Sequence, residues 1–424
     1  MRDRHVASTI GLAVSVVMLV LGRGMLSFEE ARDRVLSDVP LVGIERANLR
    51  DAAGRVLARS VVARGPFPPF AASAMDGYAV AAASFTGEGP WTLDVGGESR
   101  VGREPAPLIR GSACRIFTGA PVPAGADTVV MQEDVTRDGH HAAFKIAPDR
   151  GAHIRQAGED LAAGAVALEA GVRLGAFQLA LAASLDHPEL VVAERPRVTI
   201  ICTGDELRAP GEPLRPGSIA ESNAIGLRLL AEQGGASVSV APLVGDDLPA
   251  TRAAVERGLA SSDLLVTVGG VSVGDYDVVR PALEQAGVTL GFWKVAIKPG
   301  KPLALGRAGR VRVLSLPGNP ASSMVTFALF GLPLLRAMQG DKNPLPPRLR
   351  ARLGSRITRK PGRLEFVRSQ LIMMADALTV VPLSNQASGA VTSMAWSDAL
   401  AIVPAESTSL AEGQTVEVLR VSDA

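Results

Sequence analysis

The chain has 424 residues, more than one ordinary domain, and is expected to divide into about three or four. Its formal net charge of +1 gives no overall field to recruit nucleic acid or a membrane surface, so any charge effect must be local. Hydrophobic residues at 47% permit several cores, and aromatics at 4% make them mostly aliphatic; the two cysteines, Cys114 and Cys202, exclude a thiolate metal cluster and suit a reducing compartment.

In residues 1–24, Arg2 and Arg4 precede an apolar run from Val6 to Leu21. No small-residue cleavage site follows it, and it is short for a spanning helix of about 20 residues. Two readings stand: an upstream over-call of the start, with translation beginning at Met25, or a membrane anchor. The first is favoured, because Ser27-Phe28-Glu29-Glu30 is a capping box that opens a helix just after Met25. A stiff Gly65-Pro66-Phe67-Pro68-Pro69-Phe70 segment then leads to Asp76-Gly77, where the glycine permits a tight turn from which Asp76 projects. Residues 85–148 alternate short apolar runs with Gly and Pro, as a small β domain does. Within them, Thr118-Gly119 sits at a strand end where backbone N–H groups can face an anion. Arg155, Glu159 and Asp160 cluster before a helical stretch over 174–185, and Arg195-Pro196 reads as a linker. His153 and His187 have no partners at metal-ligand spacing.

Residues 197–340 alternate strands and helices, with signatures where apolar runs end. Val198–Cys202 ends in Thr203-Gly204-Asp205-Glu206-Leu207, and Leu264–Val268 ends in Gly269-Gly270 and the stretch to Asp277. Ala236–Val244 ends in Gly245-Asp246-Asp247, and Val311–Leu316 ends in Pro317-Gly318-Asn319-Pro320. Ligands of open α/β sheets sit outside the carboxyl ends of the strands, so these loops predict one shared cleft. Of six lysines in the chain, Lys294, Lys298 and Lys301 fall within eight residues of one another, and compact ammonium charges suit phosphate oxygens. After the linker over 341–347, short alternating runs predict a last β module, made locally basic by Arg359, Lys360, Arg363 and Arg368. The expected fold is a multidomain α/β protein with a central, doubly wound, mostly parallel domain over 196–340. Around it are an elongated mixed α/β domain from 25–65 plus 151–195, a small β domain over 66–150, and a C-terminal β domain over 341–424.

Gly269-Gly270-x-x-x-Gly274 is not the dinucleotide fingerprint, and Pro299-Gly300-Lys301-Pro302 is not a P-loop, since no Ser or Thr follows the lysine. Both still allow close backbone approach, and a Gly-rich loop feeding a helix is an anion site. Asp205, Glu206, Asp246, Asp275 and Asp277 crowd the same strand ends. Anion-binding elements mixed with carboxylates point to a divalent cation such as Mg²⁺ bridging to phosphate. No Ser or Cys stands with a His base, which speaks against triad hydrolysis.

Ser73-Ala74-Met75-Asp76-Gly77-Tyr78-Ala79, Thr118–Pro123, Thr203–Leu207, Gly269–Asp277, Lys298–Pro302 and Leu316–Pro320 together resemble the molybdopterin molybdenumtransferase family. This is the MoeA type, related to the E domain of gephyrin. The resemblance runs from about Met25 to the C-terminus. It implies insertion of molybdate into adenylylated molybdopterin with Mg²⁺-dependent release of AMP, a cytoplasmic homodimer, and four domains. Molybdopterin adenylyltransferase and molybdoenzyme apoproteins are implied as possible partners, and nucleic acid is not. Carried onto this sequence, it implies catalytic roles for Asp76, Thr118, Asp160, Glu206, Asp277, Lys298 and Lys301, with the first three completing the cleft across the dimer. Mg²⁺ would be held by Glu206, Asp246 and Asp277. The pterin nucleotide would meet Thr203, Gly204, Asp205, Gly269, Gly270, Ser272, Gly274, Asp275, Lys294, Pro317, Gly318 and Asn319. Arg368 and Ser388 match molybdate-binding positions. The alternatives are a scaffold or chaperone of the same fold without turnover, against which the intact Asp76, Glu206, Asp277 and lysine set argues, and a molybdopterin adenylyltransferase, against which the flanking modules argue.

Overall fold

The computed structural model describes residues 25–270, 278–374 and 376–421. Residues 1–24, and with them the expectation of an anchor or an over-called start, lie outside the described residues, as do Ser272, Gly274, Asp275 and Asp277.

The central sheet has six strands in the order 237–240, 197–202, 264–268, 311–316, 304–308, 289–292. The first four are parallel; the last two join antiparallel at one edge, through a hairpin the sequence reading did not include. Side chains alternate along a strand, so each strand feeds two cores. Val198, Ile200 and Cys202 face the helices over 223–233 and 320–338, whereas Ile201 faces the helices over 248–261 and 279–285. Burial on both faces explains the nearly continuous apolar strands. From strand 197–202 the chain passes to 237–240 on one side and then to 264–268 on the other. The switch point of the topology therefore lies between strands 197–202 and 264–268.

Residues 320–338 run as one apolar helical rod, interrupted by a π turn over Phe327–Gly331. Pro333 supplies no backbone donor, and the wide turn just before it absorbs the missing hydrogen bond. The rod is long and apolar enough to cross a membrane, but 83% of it is buried inside the protein, as a core helix is.

Helix Phe28–Leu36 opens on the expected box: Glu30 N–H donates to Ser27 Oγ (3.1 Å), and Ser27 N–H donates to Glu30 Oε2 (2.9 Å). Its apolar face, Phe28, Ala31 and Val35, joins the central core rather than the core built from residues 47–63 and 174–192. Phe28 meets the rings of Phe330 and Phe366 edge-on at 5.4 and 5.2 Å. Strand 44–48 pairs with 189–193, and 61–62 with 166–168, around that second core. Residues 77–144 form a separate six-stranded sheet in the order 128–131, 77–80, 112–116, 91–99, 141–144, 135–138.

In the C-terminal part, strands 364–374, 377–382, 348–353, 415–420 and 399–403 close into a ring, because 364–374 also pairs with 399–403. The central unit adds a sixth strand: Ile297 and Lys298 pair in parallel with Leu364 and Glu365.

Candidate active site

Three neighbouring strand ends build the floor of the cleft. Thr203 N–H donates to the Val268 carbonyl (3.0 Å), and Gly269 N–H donates to the Leu316 carbonyl (3.2 Å). Gly269 has φ +93°, and a Cβ there would stand 2.7 Å from the Thr203 carbonyl oxygen. Glycine is therefore required by conformation and by space together. Gly318 approaches from the third strand, its Cβ position 3.5 Å from the Gly269 Cα. Gly270 is also left-handed, at φ +58°. Thr203, Gly269 and Gly318 thus form one close-packed backbone surface beside the switch point, as expected of Thr203–Gly204, Gly269–Gly270 and Pro317–Asn319.

The acidic loops are tied to each other. Asp246 N–H donates to Asp205 Oδ1 (3.0 Å), and Asp205 N–H reaches Asp246 Oδ2 (3.4 Å). Glu206 folds its carboxylate back against Gly204. Asp247 is spent on capping helix 248–261, accepting from Ala250 N–H (2.7 Å). Among the described residues no three acidic, His or Cys side chains form a metal-holding group, and Asp277 lies outside them.

The lysine segment folds alongside. Val295 N–H donates to the Lys301 carbonyl (3.1 Å), and Gly300 abuts the Thr326 methyl at the far end of helix 320–326, which follows the 317–319 loop. Lys298 pairs with the buried Glu365 (2.8 Å). Lys294 and Lys301 are exposed and have no ion pair among the described residues.

Arg368, one of the two positions matched to molybdate binding, is fully buried. Its guanidinium donates to Ser393 Oγ (2.8 Å) and to the carbonyls of Ala387 (2.9 Å) and Asn385 (3.2 Å). Burial pulls it below its ordinary pKa, with Glu365 opposing. Its Nη1 has no hydrogen-bond partner among the described residues. Its work is to hold the 385–388 loop, whose Ser388 carbonyl accepts from Ala321 N–H (3.1 Å) beside Asn319.

Asp76 and Thr118 do meet. Asp76 Oδ1 accepts from Thr118 N–H (2.7 Å) and Thr118 Oγ1 (2.8 Å). These bonds, with Arg115 adding, hold the Asp76 carboxyl below the usual carboxylate range. Asp160 pairs with Arg155 at 2.5 Å. Among the described residues, the polar side-chain contacts of this group run within residues 76–160 and not to the central loops of the same chain.

Two residues absent from the sequence reading hold the site together. Asn223 Nδ2 donates to the Gly318 carbonyl (2.8 Å), while Ser323 Oγ donates to Asn223 Oδ1 (3.1 Å). Glu365 is the other. Asn223 at a helix start was a visible signal; Glu365, inside a strand, had none.

A relative from Mycobacterium tuberculosis named "Molybdopterin molybdenumtransferase 2" is 38% identical over 379 residues, covering 87% of this chain and 93% of its own. The chain belongs to the MoeA family. The MoeA N-terminal region (domain I and II) matches residues 26–185, the probable molybdopterin binding domain 199–337, and the MoeA C-terminal region (domain IV) 350–421. A MoeA-family relative from Haemophilus influenzae, "Molybdopterin molybdenumtransferase", is 36% identical over 402 residues, covering 93% of this chain and 98% of that one. The crystal structure of a molybdopterin biosynthesis MoeA protein from Pyrococcus horikoshii OT3 superposes with a TM-score of 0.82 at 29% identity, covering 94% of this chain and all of that one.

Proposed function

We propose that this chain is a molybdopterin molybdenumtransferase: it takes adenylylated molybdopterin and molybdate and yields molybdenum cofactor and AMP. The observation that carries the reading is the floor formed by Thr203, Gly269 and Gly318, with the lysine segment packed through Gly300 against the helix that follows Gly318. A close-packed glycine surface admits a phosphate-bearing ligand to backbone range, and Lys298 and Lys301 supply charge toward the anhydride that is cleaved. Lys294 extends that field. Glu206 and Asp246, with Asp277, would hold Mg²⁺, which supplies charge neutralisation at the phosphates. The acids fit this task, since loops 203–206 and 244–247 are already fastened side by side. Ser388, carried on the loop that Arg368 organises, stands next to Asn319 and suits an oxyanion there.

Thr118 and Asp160 are exposed and Asp76 half-buried, and they are bonded among themselves or to Arg155; we assign them to the cleft of a second copy in a homodimer. Cys114 and Cys202 are free and buried, which agrees with a cytoplasmic location. A molybdopterin adenylyltransferase would supply the substrate and molybdoenzyme apoproteins would receive the product. The test is to supply adenylylated molybdopterin, Mg²⁺ and molybdate and measure AMP. Wild type should release AMP and Lys298→Ala should not, with both folded by circular dichroism. No molybdate-dependent AMP from wild type refutes the activity.

A further inference from the structure

Of the three clustered lysines, Lys298 alone has an ion pair among the described residues, and its partner comes from the C-terminal ring. Glu365 is the register partner of Lys298 in the parallel pairing of 297–298 with 364–365. Its side chain is 7% exposed, with Oε1 2.8 Å from Lys298 Nζ and Oε2 3.3 Å from Arg359 Nε. Arg359 is fastened in turn to the carbonyls of Val403 (3.3 Å) and Pro404 (3.2 Å). A line of contacts therefore runs from the wall of the ring to one ammonium group. These groups line a cavity of about 540 Å³ at the seam, together with Arg356, Lys360 and Arg363, and Glu365 is the one carboxylate among the described residues that line it.

Stability alone does not account for such an arrangement. Replacing a buried ion pair or triad with packed apolar groups is often neutral or stabilising. A lysine, however, carries about 2 kcal/mol of rotamer entropy, so an unheld ammonium must be ordered during the reaction. A buried carboxylate in contact with it settles that ordering beforehand.

We infer that Glu365 is a positioning residue: it fixes the Lys298 ammonium so that the anionic group of the substrate meets a charge already in place. This rests on the activity proposed above, with Lys298 at the substrate. The C-terminal ring thereby acts on Lys298 through a carboxylate of its own.

The test compares Glu365→Gln and Glu365→Asp with wild type for kcat and KM in AMP release. Gln keeps the volume, frees Lys298 and adds one net positive charge to the cavity. Asp keeps the charge but draws it back by one methylene. Positioning predicts that kcat falls roughly ten- to a hundredfold in both. KM for the anionic substrate should stay level in Asp and fall in Gln. If Glu365 merely tempers the charge, Asp will match wild type and Gln will lower KM with kcat kept; that result overturns the inference. Failure of both variants to fold overturns it as well, because the role would then be structural. A wild type that releases no AMP sinks the activity instead, and a second readout still decides this point. In reductively ¹³C-methylated protein, whose six lysines give few lines, the Lys298 resonance (identified with Lys298→Arg) should move in Glu365→Asp while those of Lys294 and Lys301 stay. An unmoved Lys298 line refutes the anchoring.

Discussion

Replacing Gly269 with alanine tests the floor of the cleft directly. The residue sits at φ +93°, where an L side chain costs about 1–2 kcal/mol. The new Cβ would also stand 2.7 Å from the Thr203 carbonyl oxygen, whereas ordinary contact begins at 3.4 Å. That oxygen is backbone, so it cannot swing away as a flexible side chain would, and Thr203 Oγ1 crowds the same space at 3.1 Å. Opening the strands adds about 1–3 kcal/mol, as overpacking typically does. The expected loss is about 2–5 kcal/mol. Gly309, in the hairpin between strands 304–308 and 311–316, is the control: its φ is +57° and nothing lies within 4 Å of a Cβ there. Gly309→Ala should cost about 1 kcal/mol from the backbone alone. Urea unfolding followed by circular dichroism separates the two. Gly269→Ala should unfold at clearly lower urea and lose AMP release, while Gly309→Ala keeps it. Equal midpoints for the two variants would refute the claim that the strand ends are packed to their limit.

Thr118→Val removes the hydroxyl donor to Asp76 but keeps the backbone one, so the Asp76 pKa should rise part of the way to its ordinary value, as read by NMR titration. Because the folded value is depressed, any stability from this contact is present above the ordinary carboxylate pKa and is lost as pH falls through the lowered value. The variant should therefore lose the contact at higher pH than wild type. Arg368→Ala removes three buried hydrogen bonds and should cost about 3 kcal/mol, with new proteolysis in the 384–388 loop. Burial raises the pKa of both Cys114 and Cys202, and neither should react with a thiol reagent at neutral pH until the protein is unfolded.

The meeting of the glycine-bearing strand ends was legible in the sequence because its signal is local: a parallel strand ends and glycines follow. Thr203, Gly269 and Gly318 lie far apart in sequence, yet a parallel sheet has one carboxyl edge and brings them together. The destination of helix 28–36 was not legible. Its apolar stripe is the same whether it covers the neighbouring domain or, as found, Phe330 and Phe366. Glu365 was hidden for a similar reason, since its meaning comes from a register with residues 297–298 that no local pattern encodes. The enclosure of Arg368 was not legible either, since the loop that surrounds its guanidinium comes from residues 385–388, beyond the reach of any local pattern.

The shared strand at residues 297–298 also limits how the C-terminal ring can be handled as a unit. A fragment cut at the 341–347 linker would leave the two-residue border of Leu364 and Glu365 bare and strand a carboxylate that normally faces an ammonium. Grafting this ring onto a homologous body would succeed where the donor ring and the recipient lysine hairpin match as a lock and its strike plate, and chimeras joined at the linker without that match should assemble poorly.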